Sequence, residues 1–422
     1  MVVGNRPPRV RTARALLVLA LLLAGVACGV PTSKHRSSFA AAAHSNELSH
    51  ATVYATAVAP DPLRGDAADQ LLADALEQSC EESGLIPDGR LADLALAVAR
   101  ASDGARRPPS YSLVNFHAHR TGLPEPTPQV WLASGPSSSA LAPAMQQAIA
   151  EATRSSRLTH CGAAAVHVGS GIVISLVLST RVLSLREGIP RRVEPGAALR
   201  LEGKLAEGYL QPSLALTYPN GSVTRRTLGA NDQFAHSIVT DAPGNYTVEL
   251  LAHGPEGLTV AAMFPVAVGI PLLSSAPDLA DDPVESNGQQ VAEKLLMLIA
   301  DERARRGLTP LKNDPKLTRI AKAHSADMVS HHFIAHTSRR SGDATTRVRD
   351  AGLEASLVLE NIGRGYSAAE LHRGLMESPG HRGNILHPDA REIGIGVSTE
   401  REGERLAFIA TELFTQLVPR TR

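Results

Sequence analysis

Aromatic side chains make up only 3% of the 422 residues, and Trp131 is the single tryptophan. An aromatic stacking platform for sugars or bases is therefore not expected. Charge excess is missing too: 42 basic and 42 acidic side chains give a formal net charge of zero. A nucleic-acid binder needs a basic footprint that releases counterions, so the balance argues against that class. Beyond residue 28 no apolar run is long enough to span a bilayer. No HExxH, GxSxG, CxxC or P-loop pattern occurs, which disfavours a zincin, an α/β-hydrolase, a thioredoxin and an NTPase. Cysteine is limited to Cys28, Cys80 and Cys161.

What is present begins with an export signal. Arg6, Arg9, Arg11 and Arg14 precede an apolar run from Ala15 to Ala27, too short for a comfortable membrane span. Cleavage before Cys28 resembles a lipoprotein signal, although Gly25 stands where such signals usually carry leucine. Two readings stay open: a lipid on Cys28 that anchors the chain to the membrane, and plain cleavage after Ala27. Cys80 and Cys161 then remain. In an exported chain they suggest one disulfide, with two unpaired buried thiols as the alternative.

Length implies two or three domains. Residues 29–50 are small and polar and read as a tether. Residues 51–190 read as a mixed α/β domain. "DQLLADALEQSCEESGL" and "GRLADLALAVARAS" have helical spacing, while "PQVWLAS" and "AAAVHVGSGIVISLVLSTRV" read as strands. The "HAH" at His117–His119 is expected on a strand face, without chemistry. Residues 191–269 alternate in short runs bounded by turn residues and read as a β-sandwich that spaces or docks its neighbours. Pro219-Asn220-Gly221 signals a tight hairpin. Tyr246, Val248 and Leu250 share a face, as in the tyrosine corner of immunoglobulin-like sandwiches. Residues 270–288 read as a linker and 289–422 as the last domain.

In that last domain Val291, Leu295, Leu298 and Ile299 form one helical stripe. Asp314 caps a second helix with Pro315 in its first turn. Leu317, Ile320, Ala321, His324, Met328 and His331 follow on one face. "HSADMVSHHFIAH", "ENIG", "SPGHRGNIL" and "EIGIGV" then come in order. Together they resemble the bacterial branch of the CAP superfamily: the cysteine-rich secretory, antigen-five and pathogenesis-related-one proteins. The resemblance covers roughly residues 289–417. It implies an α-β-α sandwich with a cleft over the sheet, and an extracellular or envelope location.

It also implies a His/Glu cluster in that cleft. His336, Glu360 and His381 match the family's first histidine, its "ENI" acid and its "GH" histidine. The fourth, acidic member falls on Ser378 here, and Glu377 is the neighbouring candidate, turned about 100° away on a helix. Two imidazoles and a carboxylate, if they converge, suit a divalent metal such as zinc, with His336, His381 and Glu360 as ligands. Without metal, a histidine beside Glu360 suits general-base chemistry. A structural or ligand-binding role is the weightier alternative, because a fold does not fix a function. His324 and His331 are expected in the core or behind the cluster. His332 would share a face with His336 if the helix continued. The basic run Arg339–Arg349 reads as a solvated loop. The overall class is therefore α+β and multidomain. "DGRLADLALAVARA" from Asp88 also parallels "DPKLTRIAKAHSA" from Asp314, so the first domain reads either as a degenerate CAP-like copy or as coincidence.

Overall fold

Two stretches of this chain, far apart in sequence, fold with the same strand order. The computed structural model describes residues 51–57, 67–102, 109–126, 128–155, 157–169, 171–255, 257–276, 285–402 and 405–418. The expected export segment, Cys28 and tether, and residues 277–284 of the linker, lie outside them.

The first stretch contains β1 (Val53–Tyr54), α1 (Ala67–Glu82), β2 (Ile86–Pro87), α2 (Gly89–Ala101), α3 (Tyr111–Arg120), β3 (Gln129–Gly135), α4 (Ser138–Ser155), β4 (His160–Val168) and β5 (Gly171–Ser179). Its sheet runs β2-β4-β5-β3. Strands β4 and β5 are apolar along nearly their whole length because helices cover both faces. One face packs on α1 and α4, the other on α2 and α3. A Cys80–Cys161 disulfide ties α1 to β4, with Cα atoms 6.5 Å apart. His117 and His119 sit on helix α3, not on a strand as expected. Ser110 caps that helix, accepting from the Leu113 N–H, and Val114 and Ala118 bury its inner face. The His119 ring meets Tyr54 edge-on, centroids 6.0 Å apart.

The middle of the chain adds β6 (Leu183–Leu185), β7 (Ile189–Pro190), β8 (Arg192–Val193), β9 (Ala197–Leu205), β10 (Leu210–Thr217), β11 (Val223–Thr227), β12 (Gln233–Thr240), β13 (Gly244–Gly254) and β14 (Gly257–Val268). A five-stranded sheet, β11-β10-β13-β14-β8, and a three-stranded sheet, β12-β9-β6, share one apolar core. Tyr246, Val248 and Leu250 are buried in it. The Ala242 N–H donates to the Tyr246 hydroxyl at 3.2 Å. The β10–β11 hairpin turns at Gly221, whose φ of 81° lies in the left-handed region that favours glycine.

The last stretch contains α5 (Gly288–Ala304), β15 (Lys312–Asn313), α6 (Pro315–His331), α7 (Ala344–Asp350), β16 (Ala355–Gly365), α8 (Ala368–Glu377), α9 (Pro379–Ile385), β17 (Glu392–Glu402) and β18 (Arg405–Leu417). Its sheet runs β15-β17-β18-β16. Apart from α9, the succession of helices and strands from α5 repeats that from α1. The parallel extends to single contacts. The Asp314 N–H donates to the Ile393 carbonyl at 2.8 Å, and the Asp88 N–H to the Cys161 carbonyl at 2.8 Å. Gly394 lies against Leu317 as Gly162 lies against Leu91; a Cβ at either would strike helix backbone at 2.4 Å or less. Both glycines let a helix settle directly on the sheet.

Candidate functional site

The site forms at the edge strand β16, where a loop, a short helix and the start of α9 converge. Asp314 fixes the start of α6 by accepting from the backbone N–H groups of Lys316 and Leu317. The helix stops at His331 because His332 adopts a left-handed conformation, φ 53°. His332 therefore does not continue a helical face toward His336, and its Nδ1 lies 3.9 Å from Glu400. His331 is exposed and pairs with Asp327 at 2.8 Å, so it is not a core residue as expected. His324 is buried, and its Nε2 lies 3.1 Å from the Ala335 carbonyl. A carbonyl only accepts, so that nitrogen carries the proton. Burial pushes the His324 pKa down. His324 thus ties the loop before His336 to α6.

His336 and Glu360 meet directly: Nδ1 lies 3.0 Å from Oε1. The other carboxylate oxygen of Glu360 accepts from Arg347, and both of these side chains are buried. Arg347 also donates to the backbone carbonyls of His336 and Gly342. Within the expected solvated loop, Arg339 and Arg340 are exposed and non-helical, but Ala344–Asp350 form a short helix, α7, whose Arg347 faces inward.

His381 completes the cluster. Its ring centroid lies 6.3 Å from that of His336. Ser378 caps α9, its hydroxyl accepting from the His381 N–H at 3.3 Å. Burial, then the neighbouring His336, then Arg225, push the His381 pKa down to about 3. Behind the imidazoles Asn361 donates to the His381 carbonyl at 3.2 Å and to Glu412 at 2.9 Å. Asn384 donates to the Glu360 carbonyl at 3.1 Å and to Asn361 Oδ1 at 2.9 Å. Burial raises the Glu412 carboxyl to about 7.

The structure therefore brings His336, Glu360 and His381 to one place. Glu377 is not among them; it is exposed, and it lies by Asn115 of the first domain and Arg373. Arg347 and Glu412 went unnoticed in the sequence. No local motif marks either one.

The residues fit a metal only in part. Both Glu360 oxygens are engaged, one by an imidazole and one by a guanidinium. That leaves two imidazoles, one fewer than the three protein donors of a catalytic zinc site. Among the described residues no group of three or more His, Cys, Asp or Glu side chains is placed to hold a metal ion.

The same positions differ in the first domain. Strand registers that equate Gly162 with Gly394 place Val130 at the position of Glu360. They place Trp131 at Asn361 and Leu176 at Glu412. These three polar members of the network thus have apolar counterparts.

The C-terminal domain is a CAP domain by its match to that family. Residues 296–416 match the CAP family, described as the cysteine-rich secretory protein family. The uncharacterized protein YkwD of Bacillus subtilis is 34% identical over 105 residues, 25% of this chain and 41% of that protein. The uncharacterized membrane protein YlbC of the same organism is 28% identical over 111 residues, 26% of this chain and 32% of that protein. The matched part thus spans less than half of either relative. A solved extracellular protein containing a SCP domain from Bacillus anthracis is 17% identical. The match covers 56% of this chain and 84% of that one, with a TM-score of 0.28.

Proposed function

We propose that this is an exported envelope protein whose CAP domain binds a small ligand, lipid or envelope component at His336, Glu360 and His381. The observation that carries the reading is the 3.0 Å contact of His336 with Glu360, facing His381 across 6.3 Å. In the neutral ring, with Glu360 accepting the Nδ1 proton, Nε2 of His336 is a bare acceptor. The His336 side chain is 28% exposed, so a ligand donor can reach it. The zero net charge of the chain argues against nucleic acid as the ligand. The membrane is reached through a lipid on Cys28, a residue outside the described ones. The first domain acts as a CAP-like copy without the polar network, which supports a scaffold or adhesive role for it. The middle domain is an immunoglobulin-like sandwich, a reading supported by the Ala242–Tyr246 hydrogen bond.

Thermal shift against a panel of phospholipids and peptidoglycan fragments tests the site. A ligand that binds only the folded state raises the melting temperature, and the rise grows with the logarithm of its concentration relative to its Kd. Wild type shifts with at least one of them, and His336→Ala/His381→Ala does not. A panel on which the two behave alike contradicts the reading.

One observation favours hydrolysis as a second reading: Glu360 orients His336 as it would a general base. A peptide and ester panel decides it; turnover must vanish in His336→Ala. No step is routed through a metal, because the third donor is missing.

A further inference from the structure

The middle domain has a charged row on its outer face. Residues paired across β11, β10, β13 and β14 include Arg225, Ala215, Glu249 and Met263, in that order. Tyr246, Val248 and Leu250 point into the sandwich core, so alternation turns Glu249 outward. An outward glutamate ordinarily meets water. Glu249 is 0% exposed.

What covers it is the turn that carries His381. The Ser378 hydroxyl donates to Glu249 Oε1 at 2.6 Å and the Gly380 N–H donates to Oε2 at 2.7 Å. A Cβ on Gly380 would lie 2.7 Å from that same oxygen, so glycine is what lets the carboxylate in. Arg225 donates to the Gly380 carbonyl and, at 2.9 Å, to Asn384 Oδ1. The small Ala215 between them leaves room for both long side chains. At the other end of the site the β13–β14 hairpin reaches the residue after His336. A Cβ on Gly257 would lie 2.9 Å from Thr337 Oγ1.

We propose that the middle domain completes the CAP site, with Glu249 and Arg225 as positioning residues that hold the Ser378–Gly380 turn and so aim His381 at His336. Ser378 stands at the centre of the coupling: its hydroxyl donates to Glu249 and accepts from the His381 N–H. Glu249 binds both the cap residue and the residue before His381, which leaves the turn little freedom to rotate. A β-sandwich that only spaced its neighbours would need no buried carboxylate at this point, since burying one costs free energy unless its partners satisfy it.

This rests on the proposed His336–His381 site, and the test separates the two. The probe is the full chain with isotope-labelled histidine, and the readout is the NOE between the His336 and His381 rings. Glu249→Gln keeps full reach but offers one acceptor to two donors, and it weakens the cross-peak. Glu249→Asp keeps the charge but is shorter by about 1.5 Å, one C–C bond. It loses the cross-peak, as does Glu249→Ala. Arg225→Ala alters a residue at the exposed end of the row and weakens the cross-peak even if Glu249→Ala fails to fold. A cross-peak that persists at full strength in Glu249→Asp and Arg225→Ala overturns the positioning role alone. A wild type without it overturns the proposed site, and the inference with it.

Discussion

Glu360 binds His336 with one carboxylate oxygen, at 3.0 Å, and Arg347 with the other. The carboxylate thereby joins the polar cluster to a buried guanidinium from α7. Replacing Glu360 with Gln leaves Arg347 charged and without its carboxylate counterion in a buried place. Loss of one member of a buried pair costs about 3–5 kcal/mol. Urea denaturation of Glu360→Gln against wild type measures it. The surface change Arg349→Gln, two residues on, alters stability by no more than about 0.5 kcal/mol.

Gly380→Ala places a methyl group where the Glu249 carboxylate now sits. Either the carboxylate leaves or the turn moves, at a cost of about 1–3 kcal/mol. Because both changes break the same contact, Gly380→Ala and Glu249→Ala combine with less than additive loss. A double-mutant cycle by thermal unfolding checks this.

Acid destabilises the first domain in a defined direction. Burial lowers the pKa of both His117 and His119 to about 4 from an ordinary 6.5. Between those values the unfolded chain binds more protons than the folded one, so stability rises with pH across that window. The contribution is complete above about 6.5. It is lost as pH falls toward about 4. His119→Asn flattens the pH dependence of the melting temperature in this interval. An unchanged slope would show that His119 is solvated.

The Cys80–Cys161 disulfide closes a separation of 81 residues. Its removal in Cys80→Ala/Cys161→Ala costs about 2–5 kcal/mol. The change appears as a lower denaturation midpoint, and reducing agent has no further effect on the variant.

Much of the local structure was legible. Asp314 followed by Pro315 announced α6, and Pro219-Asn220-Gly221 announced a hairpin. Alternation placed Tyr246, Val248 and Leu250 on one face. The meeting of His336, Glu360 and His381 was not legible from spacing, since 45 residues separate the histidines, from 336 to 381. Only the family resemblance implied it. Other features escaped for physical reasons. Arg347 lies in a run of basic residues, and such runs usually face water; here Glu360 provides a buried partner. Alternation says that Glu249 points out of the sandwich but not that another domain covers that face. His331 keeps the helical period, yet it is the last residue of α6, where the chain unwinds and exposes it. His117 and His119 alternate as on a strand, while the Ser110 cap and the spacing of Val114 and Ala118 decide for a helix.

The tautomer of His336 is the most direct test of the account. Nitrogen-15 shifts of selectively labelled protein at pH about 9, above the ordinary histidine range, report it. Acceptance by Glu360 predicts a proton on Nδ1 and a bare Nε2. A proton found on Nε2, with Nδ1 bare, would contradict the contact on which the proposed site is built.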